Sequence, residues 1–218
     1  MKKPRIALIT GFAPFADDAL NPSAEIARKL HGEIIDGMRI VGAVLPTEFA
    51  RAPSSLETLI EQHHPALLVA LGLAGGRSEI SLERVAINLI DARIADNAGA
   101  QPIDEAVIAD APTAYFSSLP LKALLLHLRG LDIPVAISYS AGTFVCNQVF
   151  FGLAHLLATR YPAVIGGFVH VPYLPQQALL HNDAASMALD MQIAAIRAIV
   201  ETALKPNIAR IISGGATH

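Results

Sequence analysis

Cysteine is almost missing from this sequence, which carries one, Cys146, in 218 residues. A single thiol excludes an internal disulfide framework and a multi-cysteine metal cluster, and leaves that thiol as either core filler or chemistry. Charge is also sparse: 16% of residues are Asp, Glu, Lys or Arg, and the net charge is -3. That balance argues against nucleic acid or an anionic membrane surface as the main partner. Long apolar runs are missing as well. The first, Ile6–Ile9 after a basic start, stops at Thr10 and Gly11, too short for a signal-peptide core or a bilayer span. A cytoplasmic protein is expected. The chain has no GxGxxG, no P-loop and no G-x-S-x-G elbow, so it lacks the sequence signals of nucleotide binding and of that serine-hydrolase turn.

What is present is apolar. Hydrophobic residues make up 53% of the chain, enough to bury a core and to exclude intrinsic disorder. The length is about one and a half times a typical domain of roughly 150 residues, so a single domain over 1–218 is expected. Short runs rich in Val, Ile and Leu end at turn residues: Arg5–Thr10, Met38–Leu45, Ala66–Leu71, Val135–Ser138 and Gly167–Val171. Continuous runs of this length suit strands covered on both faces, as in a parallel sheet. Helical spacing separates them, over Pro22–Leu30 (with Asn21 as N-cap), Thr47–Glu61 (with a Thr cap), Leu119–Leu128, Asn147–Ala158 and Ala184–Leu204. Alternation of this kind predicts an α/β fold, a three-layer α/β/α sandwich with a mostly parallel twisted sheet. Residues 79–110 break the alternation and read as a β-rich excursion. The tail, Asn207–His218, is expected to be mobile.

In open α/β sheets, ligands bind beyond the carboxyl ends of the strands. Unusual residues follow three predicted strands: Gly11–Phe15, Tyr139–Asn147, and His170 with Val171–Tyr173. Cys146 opens a predicted helix after a Gly-containing turn, where free N–H groups and the helix dipole lower a thiol pKa and can hold an oxyanion. A lone Cys is more often a small buried hydrophobe. His170 changes that balance, because a histidine at a strand end next to such a turn can serve as general base and acid. The other histidines fall near helix ends, inside helices or in loops. Glu79, Glu83 and Asp91 all offer a carboxylate to orient the imidazole, and spacing does not choose among them.

Several segments taken together carry a resemblance: Gly11-Phe12-Ala13-Pro14-Phe15, Gly75-Gly76-Arg77, Glu83–Asn88, Asp91–Ile94, Ala141–Asn147 and Gly167–Tyr173. Collinear from about Ile6 to Pro175, they resemble the pyroglutamyl peptidase I family of cysteine peptidases. The resemblance implies removal of an N-terminal pyroglutamyl residue from peptides, with no metal and no cofactor. It implies Cys146 as nucleophile, His170 as general base and Glu83 as the acid that orients it. Arg93 matches an arginine near the catalytic centre, and Phe12, Phe15 and Phe144 match aromatics lining the lactam pocket. A homo-oligomer, specifically a tetramer, is expected on the same ground. An uncharged lactam needs an apolar slot and a few hydrogen bonds, which suits this composition. Two departures stand out: Leu73 where many relatives have Gln, and Ala95 where Pro is usual. The first leaves open a related hydrolase of drifted specificity, and a silent binding module is the non-enzymatic alternative.

Overall fold

Continuous burial along the short apolar central strands builds a sheet with helices on both faces. In chain order the elements are β1 (Arg5–Phe12), α1 (Pro22–Leu30), β2 (Ile34–Ile35), β3 (Met38–Leu45), α2 (Ala52–His63), β4 (Leu67–Leu73), β5 (Ile80–Glu83), β6 (Val85–Ile87), β7 (Ala114–Phe116), α3 (Leu121–Arg129), β8 (Val135–Ser138), α4 (Val145–Thr159), β9 (Ile165–Val171), α5 (Pro175–Ala178) and α6 (Leu189–Ala203). This computed structural model describes residues 4–16, 18–205 and 213–215. Most of the tail expected to be mobile, 207–218, lies outside the described residues; within 213–215, Tyr139 donates its hydroxyl to the Gly214 carbonyl at 3.1 Å. No helix among the described residues is long and apolar enough to cross a membrane.

Among the described residues the main sheet has seven strands in the order β2-β3-β1-β4-β9-β5-β8. Strands β3, β1, β4 and β9 are mutually parallel. Strand β5 runs antiparallel to β9 and parallel to β8, so both point the other way. The expectation of a mostly parallel sheet holds. The expectation that the Cys-bearing turn leaves a carboxyl edge shared with β1 and β9 does not, because β8 is reversed and β5 lies between β8 and β9.

Two apolar layers flank the sheet. One joins α1, α3 and α6 to Ala7, Ile9, Leu67, Val69, Leu71, Leu82, Val169 and Val171. The other joins α2 and α4 to Leu8, Leu68, Ala70 and Phe168. Neighbouring strand residues therefore point to opposite helix layers, as a pleated strand covered on both sides requires. Phe150, Phe151 and Phe168 are the largest fully buried side chains, and each contributes about 1.5–3 kcal/mol of transfer free energy.

Local signals and tertiary demands agree at α1, where Asn21 Oδ1 accepts the Ser23 N–H at 3.1 Å and Pro22 takes the first turn. They disagree at α2. The helix starts at Ala52, not Thr47, and has no side-chain cap. Thr47 instead donates its hydroxyl to the Ala13 carbonyl at 2.9 Å, a half-buried contact that ties the α2 approach to the loop after β1. Helix α6 begins five residues later than the spacing predicts, after the short α5. Residues 79–110 divide: Ile80–Glu83 enters the central sheet, Val85–Ile87 pairs with Ala114–Phe116 in a separate ribbon, and the rest is loop with one isolated bridge, Ile90 to Glu105.

Candidate active site

The pleat decides which residues meet α4. On β9, Val169 and Val171 face the α1/α3/α6 layer, so Phe168 and His170 face α4. The same parity turns Gly72 on β4 toward α4, since Ala70 and Leu68 belong to that layer. On β5, Leu82 and Ile80 face away, leaving Ser81 and Glu83 on the α4 side. Register brings these positions together, with Gly72 opposite His170 on one flank and Ser81 opposite it on the other. His170 is consequently held between two strands, its ring 4.9 Å from that of Phe168.

Cys146 is the second residue of α4, whose N-terminus no side chain caps, so its first N–H groups face the site without a capping partner. Gly72 is what lets the sulfur approach the sheet. A Cβ at Gly72 would stand 2.8 Å from Cys146 Sγ and 2.9 Å from Phe168 Cζ, too close for any larger residue. Behind Cys146, the fully buried Asn147 fixes the helix start to the loop after β6. Its Oδ1 accepts the Ile87 N–H at 3.0 Å, and its Nδ2 donates to the Ile87 and Leu89 carbonyls at 2.9 and 3.0 Å.

Glu83 is fully buried, and His170 Nδ1 lies 2.7 Å from its Oε1. Of the three carboxylates that spacing left open, this is the one at the imidazole. Glu79 accepts from the Ser78 hydroxyl, and Asp91 is exposed, its backbone N–H donating to the Thr143 carbonyl and its carbonyl accepting from the Thr143 hydroxyl. Burial pushes the Glu83 carboxyl up, but the His170 hydrogen bond and charge, with help from Ser138 and Arg77, bring it below its ordinary value. The Ser138 hydroxyl donates to the Ser140 carbonyl at 3.2 Å, and Arg77 Nη1 donates to Glu83 Oε1 at 2.8 Å. An ionised Glu83 makes His170 Nδ1–H the donor and leaves Nε2 free to take a proton.

The thiol departs from expectation. Burial, reinforced by the Glu83 charge and opposed by Arg77, pushes Cys146 up to about 12. Desolvation of the sulfur and the Glu83 charge thus outweigh the downward pull of Arg77. Cys146 keeps some exposure to the cavity it lines, yet the sulfur is packed closely enough that the neutral thiol is favoured.

Cys146 and His170 open into one cavity of about 510 Å³. Phe12, Phe15, Phe144 and Leu73 line it, and Arg93 lines it from an exposed position where it makes no ion pair among the described residues. Phe15 and Phe144 pack at 5.1 Å between ring centroids, while Phe49, which the sequence did not single out, meets Phe144 edge-on at 4.9 Å. Asp96 holds Phe49 there: its carboxylate accepts the Phe49 N–H at 2.7 Å and the Ala98 and Ala100 N–H groups at 2.9 Å. At the far rim Tyr173 stacks on His181 at 4.4 Å, and His181 Nε2 meets Asp18 at 2.9 Å. Arg77 also lines the cavity and reaches Glu83; its place in the Gly75-Gly76-Arg77 turn was the only signal for it. A nucleophile at a helix start, an imidazole and a buried carboxylate on the imidazole's far nitrogen form an arrangement suited to acyl transfer.

Comparison with known proteins agrees with this geometry. A model of the family described as pyroglutamyl peptidase matches residues 5–206. The pyrrolidone-carboxylate peptidase of Cupriavidus taiwanensis is 50% identical, over 97% of this chain and 98% of that protein. That of Bacillus cytotoxicus is 45% identical, over 98% of this chain and all of that protein, at 100%. The crystal structure of pyroglutamyl peptidase I from Bacillus amyloliquefaciens superposes with a TM-score of 0.89 at 40% identity, covering 93% of this chain and 96% of that one. The pyrrolidone carboxyl peptidase of Thermococcus litoralis gives 0.88 at 42% identity, covering 92% and 93%. With its fold, cavity and full-length relatives in agreement, this chain belongs to the pyroglutamyl peptidase family.

Proposed function

We propose that this protein hydrolyses the amide bond after an N-terminal L-pyroglutamyl residue of peptides, as a cysteine peptidase with Cys146, His170 and Glu83 as its catalytic set. The observation that carries the reading is the buried Glu83–His170 pair at 2.7 Å, whose His170 lines the same cavity as Cys146 at the uncapped helix start. The lactam ring lies among Phe12, Phe15 and Phe144, with no carboxylate required because the substrate has no free α-amine.

Burial favours the neutral thiol, so in this reading the sulfur loses its proton as it attacks. As Sγ attacks the pyroglutamyl carbonyl carbon, its proton passes to His170 Nε2, and Glu83 steadies the imidazolium through Nδ1–H. The oxyanion of the tetrahedral intermediate is held by N–H groups at the start of α4, with Arg93 adding positive charge. Collapse breaks the C–N bond, and His170 returns the proton to the leaving amine. Water then gives its proton to His170 as it attacks the thioester, the C–S bond breaks, the sulfur regains the proton, and free pyroglutamate departs.

Turnover of a pyroglutamyl-coumarin amide is the test. Folded protein should release the fluorophore, and Cys146→Ser should lower the rate by at least about 10³-fold. Absence of Cys146-dependent turnover overturns the reading. Leu73 on the cavity wall favours a second reading, a hydrolase of shifted specificity, because an apolar side chain there offers the lactam no hydrogen bond. A higher kcat/KM for a prolyl or glutaminyl amide than for the pyroglutamyl one would support it. We also assign the chain a single domain, a cytoplasmic location and a homotetrameric state. The lone thiol and short apolar runs support the location, and exposed Leu179, Leu180 and Phe116 support burial between copies.

A further inference from the structure

One charged side chain at the site is used by none of the steps above. Arg77 follows Gly76, whose φ of +85° makes the tight turn after β4 that aims residue 77 back into the cavity. Its guanidinium makes two contacts in different directions. Nη1 donates to Glu83 Oε1 at 2.8 Å, the same oxygen that His170 Nδ1 approaches, and Nη2 donates to the Ser140 carbonyl at 3.1 Å. Ser140 lies in the segment between β8 and α4 that delivers Cys146. Because β8 runs opposite to β9, that segment shares no strand ladder with His170, and the strand bearing Glu83 lies between them.

We propose that Arg77 is the positioning residue of this active site, a planar fork that locks the carboxylate orienting His170 to the loop that presents Cys146. This inference rests on the catalytic reading above and assigns a residue that reading leaves idle. Arg suits the task because its rigid guanidinium spans two acceptors at fixed angles, whereas a Lys ammonium is a point charge on a flexible stem. Glu83 is fully buried, and its second oxygen, Oε2, has no hydrogen-bond partner among the described residues, so the bonds at Oε1 hold the carboxylate in place. Around it stand His170 on β9, Ser138 on β8, Cys146 on α4 and Arg77 from the turn after β4, and of these only Arg77 carries a permanent positive charge.

The test compares wild type, Arg77→Met, Arg77→Lys and Glu83→Ala on a pyroglutamyl-coumarin amide across pH 4 to 9. Arg77→Met should lower kcat about 100-fold while KM stays within about threefold, since misplacement by about 1 Å costs that much. Its acid limb in kcat/KM should move up by about one pH unit, because the carboxylate loses the cation that favours its ionised form. Arg77→Lys, keeping charge but losing the fork, should recover the acid limb and stay about tenfold below wild type in kcat. A folded Arg77→Met with kcat within threefold of wild type, or with raised KM and unchanged kcat, overturns the proposal. Should Arg77→Met fail to fold, Arg77→Lys decides, and wild-type kcat in that variant overturns it equally. Failure of the catalytic reading looks different: wild type and Glu83→Ala would then share the same negligible rate.

Discussion

Gly72→Ala isolates the role of a single missing methyl group. The added Cβ would stand 2.8 Å from Cys146 Sγ, with Phe168 Cζ and Cε1 at 2.9 and 3.0 Å. Ordinary contacts between such atoms are about 3.5–4.0 Å, so something must retreat by about 1 Å. Phe168 has little room to do so. It is fully buried, with the rings of Phe12, Phe150 and His170 at 6.4, 5.8 and 4.9 Å. Gly72 itself is pinned by pairing between β4 and β9. The sulfur is the movable partner, and it faces the cavity. Displacement of a nucleophile by about 1 Å costs about 100-fold in rate, or about 2.7 kcal/mol of transition-state stabilisation. Overpacking against Phe168 adds about 1–3 kcal/mol of destabilisation, seen as a lower urea midpoint. The measurements are kcat on a pyroglutamyl-coumarin amide and urea unfolding. A folded Gly72→Ala enzyme with kcat within threefold of wild type would refute the placement of Sγ against the sheet.

The remaining expectations concern charge and polarity. Glu83 and Asp96 both have carboxyl groups held below their ordinary values, so the unfolded chain binds their protons more readily. Each contributes stability present above the unfolded carboxyl pKa of about 4 and lost as pH falls through the lower folded value. Urea unfolding between pH 7 and pH 3 should show that loss in wild type and a shallower one in Asp96→Asn; equal slopes would refute it. At pH 7 Asp96→Asn should itself cost about 1–3 kcal/mol, since three N–H groups lose a charged acceptor. Iodoacetamide alkylation of Cys146 without substrate should keep rising from pH 7 to pH 9.5, because burial favours the thiol; a plateau already reached by pH 7 would show a standing thiolate. Leu73→Gln, on the cavity wall, should lower KM about fivefold with kcat little changed, the worth of about 1 kcal/mol of hydrogen bonding; an unchanged KM would mean residue 73 does not face the lactam.

Strands and helices were legible where local chemistry and packing agree. The runs at β1, β4 and β9 are apolar because helices cover both faces, and Asn21-Pro22 marks the start of α1 because the Asn21 side chain accepts a first-turn N–H. Thr47 misled because a hydroxyl before a helical stretch reads as a cap, while in the fold it serves a distant carbonyl at Ala13. Nothing local distinguishes those two uses. Strand direction was equally invisible. Ile80–Glu83 is too short to announce whether it runs with or against β9, and because β8 runs with β5, residues 139–145 must return from the opposite edge to bring Cys146 to the cavity beyond β1, β4 and β9.

The site divides along the same line. Residue types at strand and helix ends nominated Cys146 and His170, but spacing left three carboxylates equivalent and only the family resemblance chose Glu83; the pleat gives the physical reason, turning Glu83 inward while Asp91 stays at the surface. Arg77 and Phe49 escaped because their roles depend on partners 63 and 47 residues away, Ser140 and Asp96. The thiol pKa was misjudged for a related reason. A helix start is a local feature that lowers it, whereas the burial that raises it comes from Gly72 and Phe168 on other strands. Long-range packing sets the direction of that shift here, and under the catalytic reading proposed above His170 is the base that takes the thiol proton as the sulfur attacks.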